Sequence, residues 1–120
     1  MRLCLPICAP ILTAELDPRF GRAAYFLIVD TTSGERWILD NPALHANGGA
    51  GVKAAQTLAA EACEAVIGGD FGPHAFEALS AAGINMALMG DCRTVEQALQ
   101  AFQAGALELL AVPSAAGRHG

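Results

Sequence analysis

The sequence predicts a single α/β domain with a five-stranded mixed sheet and about three helices. First, the apolar segments 24–30 (AYFLIVD) and 36–40 (RWILD) flank the turn signal TTSGE, a pattern typical of a β-hairpin. Second, the rest of the chain alternates short apolar runs with segments of helical spacing, which indicates βα units. A hydrophobic content of 53% in 120 residues suits one compact core and leaves no room for a second.

The first half of the chain supplies the hairpin and two long loops. Residues 3–7 (LCLPI) form a short apolar run that predicts the first strand. A loop follows over residues 8–19. After the hairpin, residues 41–51 make a loop of about ten residues, long enough for a compact domain to suggest a function.

The second half is predicted to begin with a helix over residues 51–63. Four residues recur there at helical spacing: Val52, Ala55, Ala59 and Ala62. A buried strand is expected at 65–68. Pro73 suits the first turn of a second helix that runs to Ala82, with Gly83 at its C′ position and with Ala75, Phe76 and Leu79 on its core face.

A last strand and a last helix complete the predicted sheet. Residues 84–89 (INMALM) are expected to form the strand. Thr94 and Gln97 make a capping-box pattern, and the helix after it has an apolar stripe of Val95, Ala98, Leu99 and Phe102. Residues 107–120 follow the domain of 1–106. Within them, 108–113 either form an edge strand or simply pack, and the tail AAGRHG is expected to fray.

Composition and charge argue against several function classes. The net charge is −5, and the seven Lys and Arg are scattered, whereas a duplex nucleic-acid partner needs a basic stripe. No apolar run reaches the roughly 20 residues of a membrane span. The N-terminal segment reads better as a buried strand than as a signal peptide, so we expect a cytoplasmic protein.

The four cysteines, at positions 4, 8, 63 and 92, are expected to be free thiols. The chain contains no C-x-x-C, so neither a closed zinc site nor a standard ferredoxin site is predicted. The first strand has no acidic residue, and Asp30, Asp40 and Asp70 have the positions of turn or cap residues. A two-metal nuclease is therefore not predicted.

Three glycine-marked stretches suggest a ligand-binding face. They are 17–26 (DPRFGRAAYF), 41–51 (NPALHANGGAG) and 66–79 (VIGGDFGPHAFEAL). Glycine occurs where the backbone must bend sharply or come close to another group. In sheets of this kind, ligands collect beyond the carboxyl ends of the strands, where such loops lie.

The residues and the order of these motifs resemble those of the dinitrogenase iron–molybdenum cofactor biosynthesis family. This family includes NifX-type carriers and the C-terminal domain of NifB-type proteins. The resemblance covers about residues 2 to 105. It depends on six motifs in order: FGRAAYF (20–26), Asn41-Pro42, GGAGVKAAQTLA (48–59), GGDFGPHAFEAL (68–79), AAGI (81–84) and TVEQALQAF (94–102). It implies a ribonuclease H-like fold and the binding of iron–sulfur cofactor precursors, or of the iron–molybdenum cofactor, together with nitrogenase cofactor assembly proteins as partners.

The resemblance implies a metal cluster, and position and chemistry suggest candidate residues that could bind it. His45 in the glycine loop is the first candidate metal ligand, with an ordinary solvated loop histidine as the alternative, and Cys8 at the end of the first strand is the second candidate. His74 is a further candidate at the start of its helix, although a helix-start residue without a ligand is the simpler interpretation. Two positions depart from the pattern common in the family, which has histidine where this chain has Arg19 and asparagine where it has His74.

Positive potential is the other requirement, because the cofactor precursor is polyanionic. Arg22 and Lys53 flank two of the glycine junctions, and Arg19 is close in sequence. The helix that starts near Gly48, Gly49 and Gly51 would offer backbone N–H groups and a positive dipole end. Surface charges that serve only solubility remain the alternative.

Two functions are compatible with these residues. The first is a non-enzymatic carrier that binds an iron–sulfur precursor reversibly through few protein ligands. The second is an interaction or regulatory module of the same fold without a cluster. An enzyme is the weakest reading, because no set of nucleophile, base and orienting group can be recognised in the sequence.

Overall fold

A computed structural model of the protein describes residues 1–45 and 48–111, and these form one α/β domain. Five strands and three helices alternate in the predicted order. They are β1 (Arg2–Ile7), β2 (Tyr25–Asp30), β3 (Arg36–Asp40), α1 (Ala50–Ala60), β4 (Ala65–Gly68), α2 (Pro73–Ala81), β5 (Asn85–Leu88) and α3 (Val95–Gln103).

The strands form one mixed sheet in the order β3-β2-β1-β4-β5. The hairpin strand β2 runs antiparallel to both β1 and β3. On the other side of β1, β4 and β5 are parallel, as expected for strands joined by helical crossovers. The predicted mixed sheet is thus confirmed, with β1 at its centre.

Each face of the sheet is covered by a separate hydrophobic cluster. Cys4 on β1 and Leu58 on α1 belong to the cluster on the α1 and α2 side. Leu3 and Leu5 on β1 point the other way and pack in the cluster with Leu99 of α3. The central strand is therefore buried on both faces, which explains why its sequence is almost continuously apolar.

The predicted apolar face of α1 is wrong in part. The residues that α1 buries are Ala54, Ala55 and Leu58, whereas Val52 is 39% exposed and Ala59 is also exposed. Ala62 lies beyond the end of α1 in a left-handed conformation, with φ 58°. Alanine occurs so often in this segment that several faces show helical spacing, and packing against the sheet selected among them.

Helix ends agree with the sequence more closely. Pro73 occupies the first turn of α2, and Gly83 after it has φ 75°, which glycine adopts without a Cβ penalty. The Thr94 side chain accepts a hydrogen bond from the Gln97 amide, and the Gln97 side chain accepts one from the Thr94 amide, so the capping box is present. Leu79 is fully buried on α2, as predicted.

Residues after α3 cover one edge of the sheet. The Leu88 amide donates to the Glu108 carbonyl at 2.9 Å, and the Leu110 amide donates to the Met86 carbonyl at 3.0 Å. This segment therefore pairs antiparallel with β5. Of the two predictions for residues 108–113, edge pairing and simple packing, the structure shows edge pairing. The predicted frayed tail, including His119, lies outside the described residues.

All four cysteines are free, and two of them, Cys4 and Cys63, are buried. None of the helices in the described part of the chain has both the length and the apolar character that crossing a bilayer requires.

Candidate functional site

An open cleft of about 580 Å³ lies at the ends of β1 and β4, and all three glycine-marked stretches line it. The first stretch contributes the loop before β2, the second contributes the start of α1, and the third contributes the connection from β4 into α2. The lining residues are Arg19, Phe20, Gly21, Arg22, Gly49, Ala50, Gly51, Val52, Asp70, Phe71, Gly72, His74 and Ala75.

The first and third stretches are joined by backbone pairing. The Gly69 amide donates to the Pro18 carbonyl at 3.1 Å, and Arg19 and Asp70 form a parallel bridge next to it. A Cβ on Gly69 would lie 2.7 Å from the Pro18 carbonyl oxygen, so only glycine allows this approach. The loop after β1 is thus fixed against the end of β4.

The second stretch meets both others at Gly51. A Cβ on Gly51 would lie 2.8 Å from the Cβ of Ala75 in the first turn of α2. A Cβ on Gly21 would lie 3.3 Å from the Gly51 amide nitrogen. The two helices can therefore start side by side, with the loop before β2 across them, because these positions have no side chains.

Both helices direct their N-terminal ends at the cleft. Their N-cap residues are Gly49 and Gly72, and neither provides a side-chain cap. The first helical bonds run from the Lys53 amide to the Gly49 carbonyl and from the Phe76 amide to the Gly72 carbonyl, each at 2.9 Å. Amides that precede the first helical bond have no partner within the helix, and the helix dipole is positive there.

Two arginines add full positive charges at the rim. The Arg19 side chain is 70% exposed, and its Nε and Nη2 donate to the buried Asp17 carboxylate at 3.1 and 3.0 Å. These hydrogen bonds raise the pKa of Arg19. The Arg22 Nη1 donates to the Leu44 carbonyl at 3.3 Å, which ties the loop 41–45 to the cleft.

The floor of the cleft is aromatic. Phe20 and Phe71 are 3% and 1% exposed, and their ring centroids are 5.6 Å apart. Phe26 on β2 stacks below Phe20 at a centroid distance of 5.7 Å. These buried rings exclude water from the floor of the cleft, while the Arg19 side chain at its rim is largely solvated.

The sequence-predicted site residues divide into two groups. Those that line the cleft are Arg22, Gly49, Gly51 and His74, with Arg19 beside them; those outside its lining are Cys8, His45, Gly48 and Lys53. His45 is exposed and directly follows Leu44, the residue whose carbonyl Arg22 holds. His74 is exposed in the first turn of α2.

Cys8 lies on the loop after β1, where its thiol donates to the Leu16 carbonyl at 3.6 Å. Partial desolvation and the carboxylates of Asp17 and Glu15 raise the pKa of Cys8, and the nearby Arg19 only partly opposes this. A metal ligand must be the thiolate, so Cys8 needs the positive charge of its metal to lose its proton at neutral pH.

The described residues contain no group of three or more His, Cys, Asp or Glu side chains that could hold a metal ion. The donors that the structure does bring together are backbone amides, guanidinium groups and one imidazole. N–H groups of this kind donate hydrogen bonds to an anion, whereas a bare metal cation needs lone-pair ligands.

Several cleft residues were not singled out from the sequence. Phe20, Gly21, Phe71 and Gly72 belong to the glycine-marked stretches, but they carry no titratable group that would distinguish them. Asp70 has the position of a turn residue in the sequence, yet it lines the cleft. The turn assignment is confirmed for Asp30, whose Oδ1 accepts from the amides of its own turn.

The family model described as dinitrogenase iron–molybdenum cofactor matches residues 1–105 of this chain. The chain belongs to this family. The resemblance of its motifs is thereby confirmed over nearly the whole domain, including all three stretches that line the cleft.

Solved structures of similar chains share this fold. The apo form of the orange protein from Desulfovibrio gigas is 38% identical, with a TM-score of 0.89 over 94% of this chain and 95% of that chain. A Thermotoga protein provisionally described as NifB, of the DUF35 family, is 35% identical, with a TM-score of 0.82 over 99% of this chain and 98% of its own. The uncharacterized protein MJ0580 from Methanocaldococcus jannaschii is 29% identical over 107 residues, which cover 87% of this chain and 90% of that protein.

Proposed function

We propose that this protein binds an anionic iron–sulfur precursor of the iron–molybdenum cofactor, or that cofactor itself, in the glycine cleft. It carries this cargo to nitrogenase cofactor assembly proteins and catalyses no reaction on it. Family membership supports a cofactor-binding or carrier role in general. The observation that carries the specific proposal is the meeting of two helix N-termini and two arginines at one cleft.

The charge of the cleft contrasts with that of the whole protein. The chain has a net charge of −5, so a polyanion is repelled by most of its surface. At the cleft, two helix N-termini and the Arg22 guanidinium supply positive potential beside the Arg19–Asp17 ion pair and the Asp70 carboxylate. Asp17 is paired with Arg19 and is 3% exposed, so its own charge is already matched.

Size and shape also fit such a cargo. A cleft of about 580 Å³ is within the range usual for small-molecule sites, roughly 300 to 1,000 Å³. Gly49, Gly51 and Gly72 line the cleft without side chains, so the edge of a cluster could approach their backbone. The Phe20 and Phe71 rings would shield the cluster from water on one side.

Weak and reversible holding is what a carrier requires. Amide and guanidinium groups bind an anion by hydrogen bonds and do not replace the ligands of its metal ions. Release therefore breaks hydrogen bonds but no coordinate bond to the protein. His74 lines the cleft, so its imidazole could contact a cargo bound there. His45 and Cys8, the ligands predicted from the sequence, remain predictions that would require the loop 41–51 or the loop after β1 to reach the cargo.

The test is anaerobic incubation with isolated iron–molybdenum cofactor precursor, followed by gel filtration and metal analysis of the protein peak. We expect iron to co-elute with the wild type. Arg22→Ala should raise the dissociation constant about fivefold to tenfold, because a charge-assisted contact is lost. Added salt should weaken binding to the wild type more than binding to Arg22→Ala.

The matched control is Arg93→Ala, which removes an exposed arginine at a different surface depression. Its binding should equal that of the wild type. If wild-type protein elutes without iron, the carrier role is wrong and the interaction module without a cluster is favoured. If Arg93→Ala weakens binding as much as Arg22→Ala, the effect is one of net charge and the cleft is not the site.

A further inference from the structure

The two edge strands of the sheet, β5 and β3, differ in whether another segment pairs with their outer side. On β5, the segment 108–110 occupies the outer edge through two backbone hydrogen bonds. At the other end of the sheet lies β3, and within residues 1–45 and 48–111 β2 is the only strand that pairs with it. A strand edge with open N–H and C=O groups is a template for another strand.

The hydrogen-bond pattern of the hairpin tells which residues of β3 face this open edge. The Asp30 amide donates to the Glu35 carbonyl at 2.9 Å, and the Asn41 amide donates to the Ala24 carbonyl at 3.0 Å. Backbone groups alternate in direction along an antiparallel strand, so the odd-numbered residues of β3 bond inward to β2. The even-numbered residues, Arg36, Ile38 and Asp40, therefore direct their N–H and C=O groups outward.

These outward residues are complementary to a second copy of themselves. If two β3 strands pair antiparallel about a two-fold axis at Ile38, each Ile38 faces the Ile38 of the other copy. Arg36 then faces Asp40 of the other copy, twice by symmetry. All three pairs fall at hydrogen-bonded positions of the new ladder, and opposite charges directly across a ladder stabilise it.

We propose that β3 is a self-association edge, through which two copies of this protein form a symmetric dimer with a continuous ten-stranded sheet. The occupant of the edge is a second copy because the strand RWILD has its charges at its two ends with opposite signs. This order suits an antiparallel copy and places like charges together in a parallel one. The inference does not depend on the proposed cargo.

The contacts that Arg36 and Asp40 make within one copy leave both side chains able to pair with a second copy. Arg36 binds Glu96 of α3 through Nη2 alone, at 2.8 and 3.1 Å, so Nε and Nη1 remain as donors for Asp40 of the second copy. Asp40 is exposed, and Trp37, Ile38 and Leu39 between the charges are only half-buried. The strand has neither lysine nor proline at the inner positions, the residues by which proteins usually block such an edge.

Dimerisation of this kind would leave the cleft open. Because β2 runs antiparallel to both its neighbours, β3 is parallel to β1 and ends on the side of the sheet where the cleft lies. The second copy runs the opposite way, so the two clefts lie at opposite ends of the dimer.

Sedimentation velocity over roughly 10 µM to 1 mM protein tests the proposal, a range chosen because a five-residue edge makes a small and weak interface. We expect a concentration-dependent dimer for the wild type. Asp40→Arg places arginine against arginine and should raise the dissociation constant at least about tenfold. The double variant Arg36→Asp with Asp40→Arg restores opposite charges and should return the constant to within about threefold of the wild type.

Two further variants make the outcome decisive. Ile38→Pro removes an outward N–H and the half-buried Ile38 side chain but no hydrogen bond to β2, so the fold should persist by circular dichroism, at reduced stability, while the dimer is lost. Glu77→Arg makes the same charge change as Asp40→Arg on an exposed position of α2, and it should dimerise like the wild type. A wild type that stays monomeric at the highest concentration, or a dimer that survives both Asp40→Arg and Ile38→Pro, overturns the proposal.

Discussion

The missing side chain of Gly51 determines how closely α1 and α2 can start at the cleft. It lies in the first turn of α1, where a Cβ would come 2.8 Å from the Ala75 Cβ and 3.1 Å from the Ala75 Cα. The nearest atoms belong to a helix backbone and a short side chain, neither of which can move aside alone. The close start of α1 and α2, and with it the position of their amides, depends on this missing side chain.

We expect Gly51→Ala to lower the free energy of unfolding by about 1–3 kcal/mol, because overpacking outweighs the better helix propensity of alanine. Urea denaturation followed by circular dichroism measures it. Gly48→Ala is the matched control, since a Cβ there meets nothing within 4 Å. Equal stability of the two variants would mean that the helices separate without cost and that the contact is unimportant.

His74 and His45 separate two possible positions for the cargo. His74 lines the cleft, whereas His45 lies outside its lining on the neighbouring loop. If the cargo occupies the cleft, His74→Ala should weaken precursor binding more than His45→Ala. Both side chains are exposed, so neither change should alter the unfolding transition appreciably.

The measurement is the same anaerobic metal-binding assay, with His119→Ala as a histidine control remote in sequence. Weaker binding in His45→Ala and Cys8→Ala, with wild-type binding in His74→Ala, would move the site to the two loops predicted from the sequence. The proposed cleft would then be wrong even though the family assignment stands.

At the scale of elements, local signals decided the ends of helices and the hairpin. The Thr94 and Gln97 side chains close the start of α3 by contacts that span only four residues, so the sequence pattern alone predicts them. The face of α1 was not predictable in this way, because alanine spacing allowed several choices. The ribonuclease H-like label stays a prediction, although the mixed sheet with one antiparallel hairpin is confirmed.

Thr94→Ala removes the hydroxyl that accepts from the Gln97 amide and leaves the backbone amide of residue 94 bonded to the Gln97 side chain. It should cost about 1 kcal/mol of unfolding free energy. Thr57→Ala is the control within α1, where the hydroxyl only donates back to the Lys53 carbonyl. It should be neutral or slightly stabilising, because alanine is the better helix former. A loss in Thr57→Ala equal to that in Thr94→Ala would show that the cap contributes nothing special.

For the whole molecule, the buried thiols couple stability to alkaline pH. Cys63 is 6% exposed, and burial together with the Glu61 charge raises its pKa from 9.0 to about 12, against a smaller opposite effect of Arg2. Burial, and to a lesser extent the nearby Cys63, raises the pKa of Cys4 as well. Unfolding therefore exposes thiols that ionise more easily than they do in the folded protein.

The sign of the effect follows from proton binding. Below the unfolded pKa, both states hold the thiol proton and stability does not depend on it. Between pH 9.0 and about 12 the unfolded chain has lost the proton while folded Cys63 keeps it, so stability falls as pH rises. Urea denaturation from about pH 8 to about pH 11 should show this fall. Cys63→Ala should make the slope shallower without abolishing it, because Cys4 keeps its raised pKa.

The control for this prediction is Val66→Ala, which removes buried volume from the same cluster without removing a thiol. It should lower stability at every pH and leave the alkaline slope as in the wild type. A slope in Cys63→Ala as steep as in the wild type would assign the alkaline loss to other groups.

The sequence by itself determined what depends on neighbours along the chain. The hairpin, the capping box, the proline and glycine at the ends of α2, and the three glycine-marked stretches all follow from interactions within a few residues. The motif order also sufficed to assign the family. These features could be predicted because turn geometry and helix capping are set by local backbone conformation and short hydrogen bonds.

Only the tertiary structure decided which of these segments touch. The contacts of Gly21 with Gly51 and of Gly51 with Ala75 join positions more than twenty residues apart, and no pattern within one segment encodes them. The same holds for the lining of the cleft, which includes His74 and leaves out His45, and for the open edge of β3. The physical reason is that helix faces and loop positions are chosen by packing on a shared sheet, where segments compete for the same buried surface.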